Sequence, residues 1–391
     1  MQPGPGLAMP ASRGPVDTQP GMVTTGPVAI ADVLGGIPVL SVMGTPRTIG
    51  ESIGGRLKPR LQVLAQYLLE QLAAGLSDEG NSRMGREDVR TALRPSLEAA
   101  TRLEPAVWME LESMARAAEL PPEDLLLIHG YADLVGFFRG GKSATRSTFI
   151  SLNAGHTDHG APRMVLAWHL DPALLPYVTL VRRLPAHGPG SLTLTLAGLQ
   201  PVAGLSEAGL AVAVNEMLID DGAPGHLTPH LVAAALTAPG RGDAERRIQA
   251  GPRHGGACLH ILDAEGHRVS YELSGQHAVR LPDPWAQSPR VHCNQPLSDE
   301  IRPLATRSSE LTSQPRLARL AALAVEAHAC TPTDIAGWFR MAKRSSGTDS
   351  GTARIDGITA DSTVLLICDP TQKTVYVQRG GSAQGMGSAT L

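Results

Sequence analysis

Several short stretches of this chain carry side chains capable of chemistry. His156-Thr157-Asp158-His159 spaces two imidazoles and a carboxylate as a metal loop would. Gly155 and Gly160 bracket it, however, and that pattern reads as the tip of a hairpin. Cys293 lies between His292 and Asn294, the residue types of a thiol nucleophile, its base and an orienting amide. Neighbouring side chains of a strand point to opposite faces, so His292 is poorly placed to activate Cys293. His254 and His260 straddle Gly255-Gly256 and read as structural histidines with satisfied ring nitrogens. Asp220-Asp221-Gly222 reads as a turn. In Arg146-Ser147-Thr148 a permanently protonated guanidinium, which cannot attack a carbonyl, adjoins a hydroxyl, which can.

Composition narrows the chemistry. The chain has 391 residues, with 34 Lys plus Arg against 37 Asp plus Glu, and a formal net charge of -3. No global field draws in nucleic acid, and no basic run is interleaved with aromatics. The four cysteines, Cys258, Cys293, Cys330 and Cys368, form no CxxC pair and are expected to be free core thiols rather than zinc ligands. No GxGxxG or GxxxxGK[ST] run follows a strand. Neither a metal nor another cofactor is expected. No stretch approaches the ~18 apolar residues of a membrane span, and the first residues lack a basic region followed by an apolar run. The expectation is a cytoplasmic protein without a membrane partner; the sequence sets no oligomeric state.

Aromatics make up only 3% of the chain, so the core must rest on Leu, Val, Ile and Ala. Residues 1–26, rich in Pro, Gly, Ser and Thr, read as a disordered tail, and 27–391 as one domain. A short strand is expected at Pro38–Val42. Helical spacing of Leu61, Leu64, Ala65, Leu68 and Leu72 predicts a helix that stops near Gly75. Pro105 opens a second helix, and Pro122 a third that runs through Leu134. Strands follow after Gly140, among them Leu192–Leu196 and Leu210–Asn215. Helices return at Pro229–Ala238 and Ala244–Gln249. Two hairpins are expected, Ala257–Leu262 with Val269–Leu273 and Val364–Cys368 with Thr374–Gln378. Helices first, then hairpin strands with helices between, point to a layered α+β domain and away from a doubly wound parallel sheet.

Several segments, in order, resemble the penicillin (isopenicillin-N) acyltransferase family of N-terminal-nucleophile hydrolases. They are Gly44-Thr45-Pro46-Arg47-Thr48-Ile49-Gly50-Glu51, then Asp158-His159-Gly160-Ala161-Pro162 with Val165 to Asp171. Gly204 to Leu210 ending at Asn215, Val291-His292-Cys293-Asn294, and Val364 to Gly380 complete the set. The resemblance implies a four-layer αββα sandwich with mostly antiparallel sheets. It also implies acyl transfer or amide hydrolysis by a chain that cuts itself before its nucleophile. The freed α-amine, with an ordinary pKa of roughly 8, then serves as the base.

The usual nucleophilic Cys is not present: aligning the family's Phe with Phe149 puts Arg146 under it. Ser147, one residue on, is the candidate nucleophile, released by cleavage between 146 and 147. By the same resemblance Asp171 would hold the amine and Asn215 would stabilise the oxyanion. Arg146, His169, His292, Asn294 and Arg354 are expected to bind the substrate, a small-molecule or peptide amide. His169 and Gln295 depart from the family's Asn and frequent His. Two readings stay open. In one, Ser147 faces the pocket and the protein is a serine-dependent amide hydrolase or acyltransferase. In the other, Arg146 faces it, and an inactive member binds an amide- or carboxylate-bearing ligand. A single-chain hydrolase is a third, but no Ser-His-Asp order supports it.

Overall fold

A period-two alternation of apolar residues on the strands at Phe149, Leu166 and Ala211 builds the interface on which the molecule is assembled. The structure, a computed structural model, describes residues 32–78, 85–103, 105–137, 145–199, 201–283, 288–305, 307–340, 360–380 and 385–391. The expected tail at 1–26 lies outside the described residues.

Strands β1 (Asp32–Leu34) and β2 (Ile37–Gly44) precede α1 (Pro46–Asp78), α2 (Arg86–Leu103), α3 (Pro105–Ala118), α4 (Pro122–His129) and α5 (Tyr131–Phe137). Then come β3 (Thr145–Leu152), β4 (Arg163–Leu170), β5 (Val178–Pro185), β6 (Ser191–Leu196), β7 (Pro201–Ser206) and β8 (Leu210–Met217). Helices α6 (Thr228–Leu236) and α7 (Arg241–Ile248) separate these from β9 (Gly256–Asp263), β10 (Arg268–Leu273), β11 (Ala278–Arg280) and β12 (Arg290–His292). Helices α8 (Arg307–Val325) and α9 (Pro332–Arg340) lead to β13 (Thr363–Asp369), β14 (Thr374–Arg379) and β15 (Gly387–Thr390).

Among the described residues the strands form two sheets. One has the order β1-β2-β5-β6-β7-β8-β9-β10-β11, the other β12-β3-β4-β13-β14-β15. Every strand pairing is antiparallel except β2 with β5. Phe149, Leu166 and Trp168 of the smaller sheet share a core with Leu194, Ala203, Leu205, Ala211 and Ala213 of the larger. The alternate residues of the same strands face outward. Val212, Leu259 and Val269 pack under α6 and α7. Ile150, Val165 and Ala167 pack under α8 and α9. Helix, sheet, sheet, helix: the α+β four-layer arrangement is the one expected, and both predicted hairpins form, as β9–β10 and β13–β14.

Two helix boundaries differ from the periodicity reading. α1 begins at Pro46, where Thr45 Oγ1 accepts the backbone N–H of Thr48 at 3.3 Å, and it runs past Gly75 to Asp78. Apolar spacing does not register a cap, so it gives no sign of that start. The helix from Pro122 stops at His129, and α5 starts afresh at Tyr131. Gly130, at φ -114° and ψ 28°, forms the break, and a Cβ there would lie 2.7 Å from the Leu227 side chain. Helix α1 in turn crosses α3 at backbone contact. A Cβ at Gly50 would meet the Glu110 carbonyl oxygen at 2.1 Å, and one at Gly54 the Met114 carbonyl oxygen at 2.3 Å.

Gly50→Ala and Gly54→Ala are therefore each expected to destabilise the fold by about 1–3 kcal/mol, the ordinary cost of overpacking. Gly55→Ala, with nothing within 4 Å of its Cβ position, is expected to be neutral or slightly stabilising. Urea unfolding of the three variants checks this, and equal midpoints would refute the close helix crossing.

Candidate functional site

Strand β3 alternates, and this fixes which of its polar residues meet the larger sheet. Ser147 and Phe149 point between the sheets, while Thr148 and Ile150 point to the helix layer. Ser147 is 2% exposed, and its Oγ accepts the Asn215 Nδ2–H at 2.9 Å, a bond that joins β3 to β8 across the sandwich. Arg146 lies opposite His169 in the β3–β4 ladder, on the other face from Ser147. The side chain of His169 lies there too. Its Nδ1 pairs with Thr363 Oγ1 at 2.8 Å, and burial, with Arg316 and Arg146 nearby, holds it well below the ordinary imidazole value.

Behind Asn215 stands a fully buried polar network. Its Oδ1 accepts from His260 Nε2 at 2.9 Å and from His292 Nδ1 at 3.1 Å. His260 Nδ1 pairs with Ser270 Oγ at 2.8 Å, and its ring stacks on Phe149 with centroids 3.5 Å apart. Burial, with His292 and Arg290 nearby, pushes His260 well below the ordinary value, so it is neutral. His292 Nε2 meets Glu272 Oε1 at 3.1 Å. The backbone N–H groups of Leu297 (2.5 Å) and Ser298 (2.9 Å) and the Ser298 hydroxyl (2.6 Å) also donate to Glu272. Burial raises the Glu272 carboxyl, but the bonds from His292, Ser298 and Leu297 outweigh it and leave the value below the usual one.

A second arm reaches Ser147 from the edge of the smaller sheet. β12 ends at His292, so Asn294 continues the ladder with its side chain. Its Oδ1 accepts the Ser147 backbone N–H at 3.2 Å, and its Nδ2 lies 3.5 Å from Ser147 Oγ. Asn294 Nδ2 also donates to the Glu216 carbonyl at 2.9 Å. Arg316 of α8 donates to Asn294 Oδ1 at 2.7 Å and approaches the Ser147 carbonyl oxygen at 3.4 Å. Gln295 is buried, with no hydrogen bond to either side-chain amide atom among the described residues.

No family model matches the sequence, and no curated protein matches it. Solved structures do show some likeness. A mutant of conjugated bile acid hydrolase from Clostridium perfringens is 10% identical, with a TM-score of 0.42 over 63% of this chain and 92% of that one. A Caenorhabditis elegans ortholog of N-acylethanolamine-hydrolyzing acid amidase is 11% identical, with a TM-score of 0.39 over 62% and 99%. Penicillin V acylase from Agrobacterium tumefaciens is 15% identical, with a TM-score of 0.38 over 61% and 84%. Likeness at this level leaves the functional reading to the geometry of the site itself.

Of the residues singled out in the sequence, Ser147, Asn215, His292 and Asn294 come together. Asp171 does not join them. It is exposed in the turn after β4, where its Oδ1 accepts the Ala173 N–H at 2.8 Å. Ser147 pairs with Trp168, three residues short of Asp171, and the odd offset puts Asp171 on the other face. Arg146 and His169 are likewise on the helix side, not beside Asn215. Arg354 lies outside the described residues. His292 and Cys293 do face opposite ways, Cys293 Sγ lying 3.9 Å from Thr148 Oγ1. In His156-Thr157-Asp158-His159, His156 ends a one-turn 3-10 helix and Asp158-His159 form the turn after it, tied by Asp158 to the buried Arg163 at 2.5 Å.

Three members of the network escape the sequence reading. His260 reads there as merely structural, and neither Glu272 nor Arg316 stands out. Glu272 had a signal: Val269, Tyr271 and Leu273 form one apolar face, leaving Ser270 and Glu272 on the other buried face. Arg316 had none, since it joins the site only through the packing of α8 on the sheet. Cys258, His260 and His292 bring potential metal-ligating atoms within 4.8 Å of one another. All four imidazole nitrogens already have protein partners, and burial, with Glu272 nearby, holds the Cys258 thiol well above its ordinary value. A cation would have to displace those bonds and deprotonate the thiol.

A depressed folded-state value means that Glu272 adds stability above the unfolded glutamate value of about 4.3, which is lost as pH falls through the folded value. Glu272→Gln is expected to cost roughly 1–3 kcal/mol at pH 7 and to flatten the fall in stability between about pH 5 and pH 3. Urea melts across that range check the sign; an unchanged acid limb would remove the carboxylate from the network.

Proposed function

We propose that this protein is an amide-bond hydrolase or acyltransferase that works through Ser147 after cleaving its own chain between Arg146 and Ser147. The observation that carries the reading is the Asn215 Nδ2–H···Oγ bond to Ser147 at 2.9 Å, set in a buried network that fixes the Asn orientation. In the processing step Ser147 Oγ attacks the Arg146 carbonyl carbon, and the Arg146–Ser147 C–N bond gives way to an ester. Water cleaves the ester, leaving the Arg146 carboxylate, the free hydroxyl and a new α-amine on Ser147.

The amine then takes the proton of its own Oγ as the oxygen attacks a substrate amide. Asn215 Nδ2, which donates to Ser147 Oγ at rest, and Asn294 Nδ2, 3.5 Å from the same oxygen, are the nearby donors that would serve the substrate oxygen on which charge develops. The proton passes to the departing amine, and the Ser147 acyl ester is released to water in hydrolysis or to an acceptor amine in transfer. The amine-holding role that the family resemblance gives Asp171 passes to Asn294 Oδ1, already 3.2 Å from that nitrogen. Arg316 adds a fixed positive charge beside Asn294, which disfavours protonation of the amine and suits it to act as a base near neutral pH. The binding-only reading has less support. It needs the Arg146 guanidinium in the pocket, and Arg146 shares the helix-side face with His169.

Intact-mass analysis of the freshly purified protein is expected to show a fragment beginning at Ser147, and Ser147→Ala is expected to remain one chain. A wild-type protein that stays full length would sink the mechanism. Asn215→Ala is expected to lower kcat on any amide turned over by about 10²–10³-fold, the ordinary loss of one oxyanion donor. Arg316→Gln is expected to move the acid limb of the pH–rate profile upward by roughly one unit.

A further inference from the structure

Two imidazoles meet the same amide oxygen with different partners behind them. Asn215 Oδ1 can only accept, so each ring nitrogen that faces it must bear a proton. His260 faces it with Nε2, and its Nδ1 meets the Ser270 hydroxyl at 2.8 Å. A hydroxyl can donate, so one proton on the ring satisfies both of its nitrogens. His292 faces Asn215 with Nδ1 at 3.1 Å, and its Nε2 meets Glu272 Oε1, also at 3.1 Å. An ionised carboxylate has nothing to donate, so Nε2 needs a proton as well as Nδ1.

The surroundings of Glu272 keep it ionised. Besides His292 it accepts the N–H of Leu297 at 2.5 Å, the N–H of Ser298 at 2.9 Å and the Ser298 hydroxyl at 2.6 Å. A proton on the carboxyl would have to compete with these donors. Glu272 and His292 are both fully buried, and among the described residues Glu272 has no other cationic partner. A buried carboxylate left without a cation is strongly destabilising. The other charged and titratable groups nearby do not meet that need. Arg290 is taken up by Asp283 at 3.2 Å. Burial, with Glu272 nearby, raises the Cys258 thiol well above its ordinary value, so it stays neutral. Burial likewise leaves His260 uncharged.

We propose that His292 carries a proton on both ring nitrogens, and that this buried charge strengthens the Asn215 amide as a donor at Ser147. A positive charge held 3.1 Å from Oδ1 draws electron density away from the amide nitrogen and leaves the Nδ2–H group more positive. Asn215, His260, His292 and Glu272 are all fully buried, so solvent does little to screen the charge. The same charge fixes which way the amide points, because a reversed Asn215 would turn its Nδ2 toward an N–H. His260, uncharged on the same oxygen, orients the amide without polarising it. His292 acts through Asn215 and is a positioning residue. That role rests on the amidase reading of Ser147, whereas the charge itself does not.

The test is nuclear magnetic resonance of the wild-type protein as purified, with nitrogen-15 in its histidine and asparagine side chains. The His292 ring is the one whose signals vanish in His292→Gln. It is expected to show two N–H groups at pH 7, and His260 one. Glu272→Gln keeps the size of the side chain and removes the counter-charge, and His292 is then expected to show one N–H. The Asn215 Nδ2–H proton is expected to move upfield in the same variant. On any amide that the protein turns over, Glu272→Gln and His292→Gln are each expected to lower kcat about tenfold, with KM changed less than about twofold. That loss is smaller than the loss of the donor itself. A wild-type His292 ring with a single proton overturns the proposal, since Asn215 would then have to present its Nδ2 to that ring. An Asn215 N–H signal that stays in place in Glu272→Gln, or an unchanged kcat, overturns the polarising role. If the wild type cuts no amide, the ring and amide signals still decide the charge and its effect on Asn215, and only the catalytic reading of Ser147 falls.

Discussion

One side-chain amide ties the two sheets together where they carry the most polar groups. Asn215 donates across the sandwich to Ser147 and accepts an N–H from each of His260 and His292. Its Oδ1 accepts twice, so the amide cannot flip without facing both N–H groups with its own. That choice fixes both imidazoles in turn: His260 must accept from Ser270, and His292 must turn its Nε2 toward Glu272. Glu272 is then held by the chain just after Asn294, through Leu297 and Ser298. The loop that supplies Asn294 is thereby anchored to the same network that orients Asn215. The two amides flanking Ser147 are positioned by one connected set of bonds rather than separately.

Stability alone does not account for this arrangement. The surrounding inter-sheet core is mostly apolar, with Phe149, Leu166, Trp168, Leu194, Leu205 and Ala211. Replacing a buried ionic or polar set with well-packed apolar residues is commonly neutral or favourable. Here a carboxylate, two imidazoles and two amides are all kept in that interior, bonded to one another, to the hydroxyls of Ser147, Ser270 and Ser298, to Arg316 and to nearby backbone. The network's desolvation cost is offset by its own bonds. What is left over is orientation, with two Nδ2–H groups directed at one hydroxyl oxygen.

The layer order was legible in the sequence because it depends on periodicity. Leu192, Leu194 and the Leu210–Asn215 run alternate, and the hairpins at Asp263–Gly266 and Asp369-Pro370 carry their own turn residues. Helix ends were less legible, since Thr45 and Gly130 act through a cap and a close contact that no apolar spacing records. At the site, Ser147, Asn215, His292 and Asn294 could be named because the short segments that hold them resemble, in order, those of a known family; β12 ends at His292, so no strand pattern marks Asn294. Asp171 could not be placed correctly from position alone. It follows β4 by one residue, and that single step, with a three-residue offset from the partner of Ser147, turns it to solvent. Arg316 is a long-range partner, brought in by the packing of a helix far along the chain, and local pattern contains no trace of it.

The register of β3 also explains how two such different neighbours as Arg146 and Ser147 coexist. A strand sends them to opposite faces, so the guanidinium lies with His169 while the hydroxyl lies under Asn215. A guanidinium on the Asn215 face would have to be desolvated beside His260, which burial holds uncharged. On the helix face the same charge has a half-exposed position and costs little. The substitution that removes the expected cysteine therefore need not disturb the polar set between the sheets. The hydroxyl one residue later meets that set without a bulge, because β3 pairs with β4 in unbroken register from Thr145 to Leu152.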